Sequence, residues 1–375
     1  MKKKRTTEII ADLFIFDAHC DTASALADNP WGFRRGPKHL DLAKIRKGGL
    51  KAQIFAVWVD PLFAPQRALK RGLQVLRAME DKVFAPGWAA KVTSVAEMDE
   101  AVNKGQLAGW LFLEGGHIIE NSLEVLDVFR SLGVRGMTLT HGKNVDWADS
   151  STDAPRTRGL TALGRSIVAR MARTGMAIDV SHVSDATARA VLQAVEIPVL
   201  ASHSNSRELC AVPRNLPDDL VRAIGARGGF IGINFHPAFI KRRVYDQIEA
   251  NFKRYEREIK VRTQDRLDDP AFLSDIEWKY FQKAVVGNDK VFLDDLIDHV
   301  IHLATLGGID CVGLGSDFDG IASTPDDLRN AAAYPALAAG LQARGFRAGE
   351  IRKVCGLNLR DFLRRVENKA SRRRQ

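Results

Sequence analysis

His19 and Asp21 stand two residues apart at the end of the apolar run FIFDAHCD, residues 14–21. In an extended segment, residues i and i+2 point to the same side. An imidazole and a carboxylate so spaced converge on one point, as the ligands of a metal ion do. The pattern recurs along the chain. LAGWLFLEGGH carries Glu114, VRGMTLTHGKN carries His141, GMAIDVSHVS carries His182, PVLASHSN carries His203, and DCVGLGSDFDG carries Asp317 and Asp319. Taken singly, each has a plain alternative: a helix cap, a turn aspartate, or a histidine satisfied in the core. Taken together, four of the nine histidines fall at the ends of apolar runs, which a random scatter would not produce.

Imidazoles and carboxylates without thiolates suit zinc or another borderline divalent ion such as Mn, Fe or Co. The donors exceed what one tetrahedral ion holds. Two ions sharing one carboxylate use them economically; such a pair acidifies a bridging water and polarises a carbonyl, which is equipment for hydrolysis. No G-x-S-x-G elbow offers a serine nucleophile instead.

Something must carry these residues to one place. With AQIFAVWVDP and GGFIGINFHP, the apolar runs number eight. Between them lie amphipathic stretches such as LEVLDVFRSLG (123–133), TALGRSIVARMARTG (161–175), SDATARAVLQAVE (184–196) and PDDLVRAIGARG (217–228), several ending in Gly as helices commonly do. Alternating β and α elements imply a parallel sheet, and near-continuous apolar strands imply burial on both faces. Eight such units predict an α/β fold, a (β/α)8 TIM barrel, in which chemistry sits at the C-terminal ends of the strands. A doubly wound open sheet is the competitor, but no G-x-G-x-x-G or G-x-x-x-x-G-K-[ST] supports its nucleotide-binding forms. The expected organisation is a basic segment at 1–13, a single domain at 14–365 and a basic tail at 366–375. A charged helical insert at about 241–290 falls between strands 7 and 8 and is long for a simple connection.

The 375 residues carry a formal charge of +9, but Lys2, Lys3, Lys4, Arg5, Lys369, Arg372, Arg373 and Arg374 account for nearly all of it. The charge therefore belongs to the ends of the chain, and no nucleic-acid or membrane partner is expected from it. Cys20, Cys210, Cys311 and Cys355 form no CxxC and no disulfide framework. With no secretory signal in MKKKRTTEIIADLF, a reducing cytoplasmic location is expected.

The stretches FDAHCDT, FLEGGHII, LTHGKNVDWAD, DVSHVS, ASHSN, PRNLPDDL and GLGSDFDG resemble, in order, the motifs of the renal or membrane dipeptidases, the M19 metallopeptidases of the amidohydrolase superfamily. The resemblance spans about residues 14–320 and implies a barrel of the metal-dependent hydrolase type. It implies two zinc ions per chain: His19, Asp21 and Asp317 on one, His182 and His203 on the other, and Glu114 bridging both. It makes His141 a substrate-binding residue that stabilises the oxyanion, and Arg214 the holder of the substrate's free carboxylate. It also gives Asp317 the proton transfer from water to the leaving amine, so that Asp317, His141 and Glu114 carry the catalysis. The implied reaction is hydrolysis of L-Xaa-L and L-Xaa-D dipeptides; a related amidohydrolase acting on N-acyl amino acids or other small amides is the alternative. Members of the family often form homodimers. Two departures stand out: Cys20 where mammalian members have Asn, and Phe239 where they have an aromatic hydroxyl. The insert at 241–290 is also outside the mammalian pattern.

Overall fold

The computed structural model describes residues 13–372. Eight parallel strands form the barrel: β1 (Ile15–Cys20), β2 (Leu50–Trp58), β3 (Leu107–Glu114), β4 (Val134–Thr138), β5 (Ala177–Asp179), β6 (Leu200–Ala201), β7 (Phe230–Ile233) and β8 (Val312–Leu314). Each pairs with the next, and β8 returns to β1 through the register Asp17↔Leu314, which closes the sheet. A three-residue strand, Ala89–Lys91, lies beside the start of β3. The eight apolar runs of the sequence are the eight barrel strands. All positions of β1 and β3 are buried, as a sheet wrapped by helices on one side and filled by its own interior on the other requires.

The helices between them start and stop where their caps dictate. Thr161 accepts from the Gly164 N–H to open Ala162–Thr174, and Gly175, with φ 76°, closes it in the left-handed conformation. Ser184 caps Asp185–Ala194 through the Thr187 N–H, and Ser122 caps Leu123–Ser131 through Val125. At the ends of β6, β7 and β8 the backbones crowd. A Cβ on Gly232 or on Gly315 would lie 1.9 Å from the Ser202 carbonyl oxygen, so only glycine fits at either position.

The expected insert is a pair of helices, Arg242–Thr263 and Pro270–Ala284, between β7 and β8. They pack through Tyr255 on Tyr280 (5.2 Å between ring centroids) and Phe252 on Phe281 (6.4 Å). The connection between them is pinned where Arg67 Nη1 donates to the Asp268 carbonyl, 2.7 Å away.

The chain's C-terminal end departs from expectation. Residues 366–372 continue a helix, Asn358–Arg372, rather than beginning a solvated tail. Leu359, Phe362, Leu363, Val366 and Ala370 recur at helical spacing and are buried, and the basic residues between them disguise that stripe in the composition. The basic residues at 1–12 and those at 373–375 lie outside the described residues. Among the described residues no helix is long and apolar enough to cross a membrane, and the four cysteines are buried and unpaired.

Candidate metal centre

The strand ends bring the sequence-predicted residues into one cluster. His19 closes β1, and its Nε2 lies 3.2 Å from Glu114 Oε2, 3.4 Å from Asp21 Oδ2 and 3.9 Å from Asp317 Oδ1. Asp21 falls just past the strand, at the cap of helix Thr22–Asp28, yet its carboxylate still meets His19. Glu114 closes β3 and divides its oxygens: Oε2 faces His19, while Oε1 lies 3.3 Å from His182 Nε2 and 3.5 Å from His203 Nε2. The two latter imidazoles approach each other Nε2 to Nε2 at 2.9 Å. His141 stands against His182, ring centroids 4.3 Å apart.

Three overlapping groups have ligand atoms all within 4.8 Å of one another: His19, Asp21 and Asp317; His19, Glu114 and His203; and Glu114, His141 and His182. The sequence reasoning set His141 apart from the ligands, whereas geometry alone leaves it beside them.

His19 Nε2, Asp21 Oδ1 and His141 Nδ1 are buried without a hydrogen-bond partner. Leaving buried polar atoms unpaired is costly, and a cation among them removes the cost. Electrostatics point the same way. Burial, reinforced by the charge of Glu114, pushes Asp21 up to about 7. Burial, with the charge of Asp21, does the same to Asp317 against the opposing pull of His19. Burial opposes charge on His19, but Glu114 and Asp21 outweigh it and hold its pKa well above the ordinary value. Burial, then neighbouring cationic groups, keeps His182 and His203 well below theirs, so both are neutral donors. Neutral imidazoles and crowded carboxylates are a donor set that fits a divalent cation.

Supporting residues that sequence reasoning missed hold the cluster. Asp179 accepts from Thr138 Oγ1 (2.6 Å), from the backbone N–H groups of Ser181 (2.9 Å) and Ser202 (3.0 Å), and from Ser202 Oγ. Ser202 Oγ has spent its proton there, so at 2.7 Å it accepts from His203 Nδ1, and the His203 Nε2 lone pair is left facing Glu114. Asp17 plays the corresponding part across the barrel, accepting from the Ser316 N–H (2.9 Å), Ser316 Oγ and Tyr334 Oη, and so ties β1 to the end of β8. The available signal was an aspartate closing an apolar run two or three residues before a histidine of the cluster, in FIFDAH and AIDVSH. Tyr334 had no such signal.

Asp319 is not in the cluster. Its carboxylate accepts from the His39 N–H (2.6 Å) and from Thr22 Oγ1 (2.6 Å), clasping loops at the barrel mouth. His182, Asp317 and Asp319 have φ of 65°, 62° and 69°, left-handed values that non-glycine residues rarely adopt, and such strain concentrates at functional sites. Cys20 is fully buried, with Thr22 Oγ1 3.4 Å from its sulfur, and burial raises its pKa well above the usual thiol value.

Arg214 lies beside the cluster, 5% exposed. Nη1 donates to Ser204 Oγ (3.1 Å) and Nη2 to the His203 carbonyl (2.9 Å), while Nε has no partner. Its guanidinium stands over the Phe239 ring at 5.6 Å.

Comparison with known proteins agrees with this geometry. The sequence matches the membrane dipeptidase family, peptidase family M19, over residues 3–375. Dipeptidase aclJ of Aspergillus oryzae is 31% identical over 341 residues, 88% of this chain and 71% of its own. Among solved structures, the probable dipeptidase PvdM from Pseudomonas aeruginosa is similar in fold, with a TM-score of 0.80 at 23% identity over 98% of each chain. A metallopeptidase from Rhodobacter sphaeroides, liganded with a phosphinate mimic of the dipeptide L-Ala-D-Ala, gives 0.76 at 24% identity over 94% of this chain and 99% of its own. The chain belongs to the membrane dipeptidase family, peptidase family M19, and is a metal-dependent dipeptidase.

Proposed function

We propose that the protein is a binuclear zinc dipeptidase that hydrolyses dipeptides with a free C-terminal carboxylate, L-Xaa-L and L-Xaa-D alike. The observation that carries this reading is the divided carboxylate of Glu114, with one oxygen turned to His19 and the other to His182 and His203. His19, Asp21 and Asp317 would hold one ion, His182 and His203 the other, and Glu114 would serve both. When bound, the ions supply Lewis acidity that acidifies a water and polarises the peptide carbonyl.

The chain's own residues do the rest. Asn234 Nδ2 donates to Asp317 Oδ2 at 2.9 Å and fixes that carboxylate. Asp317 takes the water's proton and passes it to the departing amine as the C–N bond breaks and the new C–O bond forms. Burial lowers the His141 pKa to about 4, so it enters as a neutral imidazole and donates to the oxyanion. Arg214 still has guanidinium hydrogens to give a carboxylate, since its protein partners take only two. The acceptance of a D-residue on the C-terminal side is supported by the L-Ala-D-Ala mimic held by the Rhodobacter sphaeroides relative. The four buried, unpaired cysteines support a reducing, cytoplasmic setting.

Elemental analysis of the purified protein, paired with a panel of L-Xaa-L and L-Xaa-D dipeptides, tests the reading. About two zinc per chain with turnover supports it. About two zinc with turnover of N-acyl amino acids alone transfers the activity to that alternative. No bound metal after incubation with zinc overturns it.

A further inference from the structure

One histidine near the cluster has no role in this scheme. His236 follows β7, is 5% exposed, and makes no side-chain hydrogen bond; its Nδ1 is buried with no partner. An idle, nearly buried imidazole is unusual, because its Nδ1 loses water with nothing in return, and its Nε2 is left without a protein partner. Its position is specified with care. The backbone N–H donates to Asn234 Oδ1 at 2.6 Å, and the same Asn234 side chain holds Asp317. The ring stands edge-on to Phe239, centroids 4.8 Å apart, and Phe239 is the ring over which Arg214 stands. From behind, Phe281 of the inserted helix Pro270–Ala284 meets the His236 ring at 5.9 Å. The Arg214 guanidinium is near enough to act on it: burial first, then that positive charge, lowers its pKa to about 3. His236 is thus a neutral imidazole beside a cation with hydrogens to spare, over a shared aromatic floor; Asp317, Glu114 and Asp179 act on Arg214 from a distance, but among the described residues no carboxylate pairs directly with either side chain.

We propose that His236 is a second donor to the substrate's C-terminal carboxylate, working with Arg214 on the same group and held in place by Phe281 of the insert. The proposal rests on the reading that Arg214 binds that carboxylate. It gives the insert a function as the back wall of a specificity pocket. It also explains how a pocket floored by Phe239, which has no hydroxyl, offers a carboxylate donors from two directions.

The test compares an alanyl-alanine dipeptide with its C-terminal amide. His236→Phe should raise KM for the free acid roughly 10- to 100-fold, the range for one hydrogen bond to a charged group. It should leave kcat within about threefold, as loss of remote binding does, and leave KM for the amide unchanged. His236→Gln, which keeps an N–H donor, should recover part of the loss. His236→Leu serves where Phe crowds the neighbouring rings, and zinc content at the wild-type level certifies an intact site. Equal changes for acid and amide would overturn the proposal. Arg214→Met separates the two readings: if it leaves the preference for acid over amide intact, the carboxylate assignment itself falls. If it abolishes that preference and His236→Phe does not touch it, only the role of His236 falls.

Discussion

The two ends of the barrel treat charge in opposite ways. At the C-terminal end, three carboxylates and four imidazoles crowd together, and several of their polar atoms have no protein partner. At the N-terminal end, around a cavity of about 290 Å³ lined by residues that include Arg130, Arg135, Thr174 and Glu367, charged groups are answered by the chain itself. Arg135 donates to the carbonyls of Thr93, Arg130 and Val134, and Arg130 Nε donates to Thr174. Glu367 accepts from the Val95 N–H at 2.8 Å. One end is built to stand alone, and the other is completed only by something it binds. Stability and activity should therefore separate along the barrel axis.

The most severe break in that contrast is Glu114→Gln. It removes the one group turned to both sets of imidazoles, so metal content and turnover should fall together, turnover by about 10³-fold or more. Elemental analysis and kinetics on the same sample check it. His141→Ala should cost about 10²- to 10³-fold in kcat, the scale of a lost oxyanion donor, with metal content nearly unchanged. If the metal leaves instead, the group formed by Glu114, His141 and His182 is a true ligand set, and the role given to His141 is wrong. Ser202→Ala removes the acceptor for His203 Nδ1 and should weaken zinc affinity or activity roughly 10- to 100-fold, measured by chelator titration.

Two further variants should move stability rather than chemistry. Asp149, in the loop behind His182, accepts from the backbone N–H groups of Arg156 (3.0 Å), Thr157 (2.9 Å) and Arg158 (2.7 Å). Burial opposes its charge, but these donors win and lower its pKa. A depressed carboxylate stabilises the fold above its unfolded pKa, about 4, and that contribution is lost as pH falls through the folded value. Asp149→Asn should therefore lower stability by about 1–2 kcal/mol at pH 7. The difference in Tm from wild type should shrink below about pH 4; a gap constant with pH would remove the charge from the explanation. The smallest effect belongs to the N-terminal end: Glu367→Gln should lower Tm by roughly 1–2 °C and leave kcat and KM unchanged. A change in kinetics there would mean that the two ends are coupled.

Much of this was legible in the sequence because the signals are local. A strand buried on both faces must be apolar throughout, so each barrel strand announces itself, and a His or Asp at its end is conspicuous against it. Caps such as Thr161 and Ser184 and the closing Gly175 lie within a few residues of what they cap. The sequence by itself thus determined the strands, their order, and which side chains stand at their ends. Only the tertiary structure decided what those side chains meet. Tyr334 reaches Asp17 across more than 300 residues, Asn234 reaches Asp317, and Phe281 of the insert reaches His236. The C-terminal residues likewise read as a tail until packing at the N-terminal end of the barrel, beside residues such as Trp110 and Ala177, buried Val366 and Ala370. The reason is the same throughout. A side chain's type is written at its own position, but its partners, its burial and so its charge state depend on segments that only closure of the barrel brings alongside.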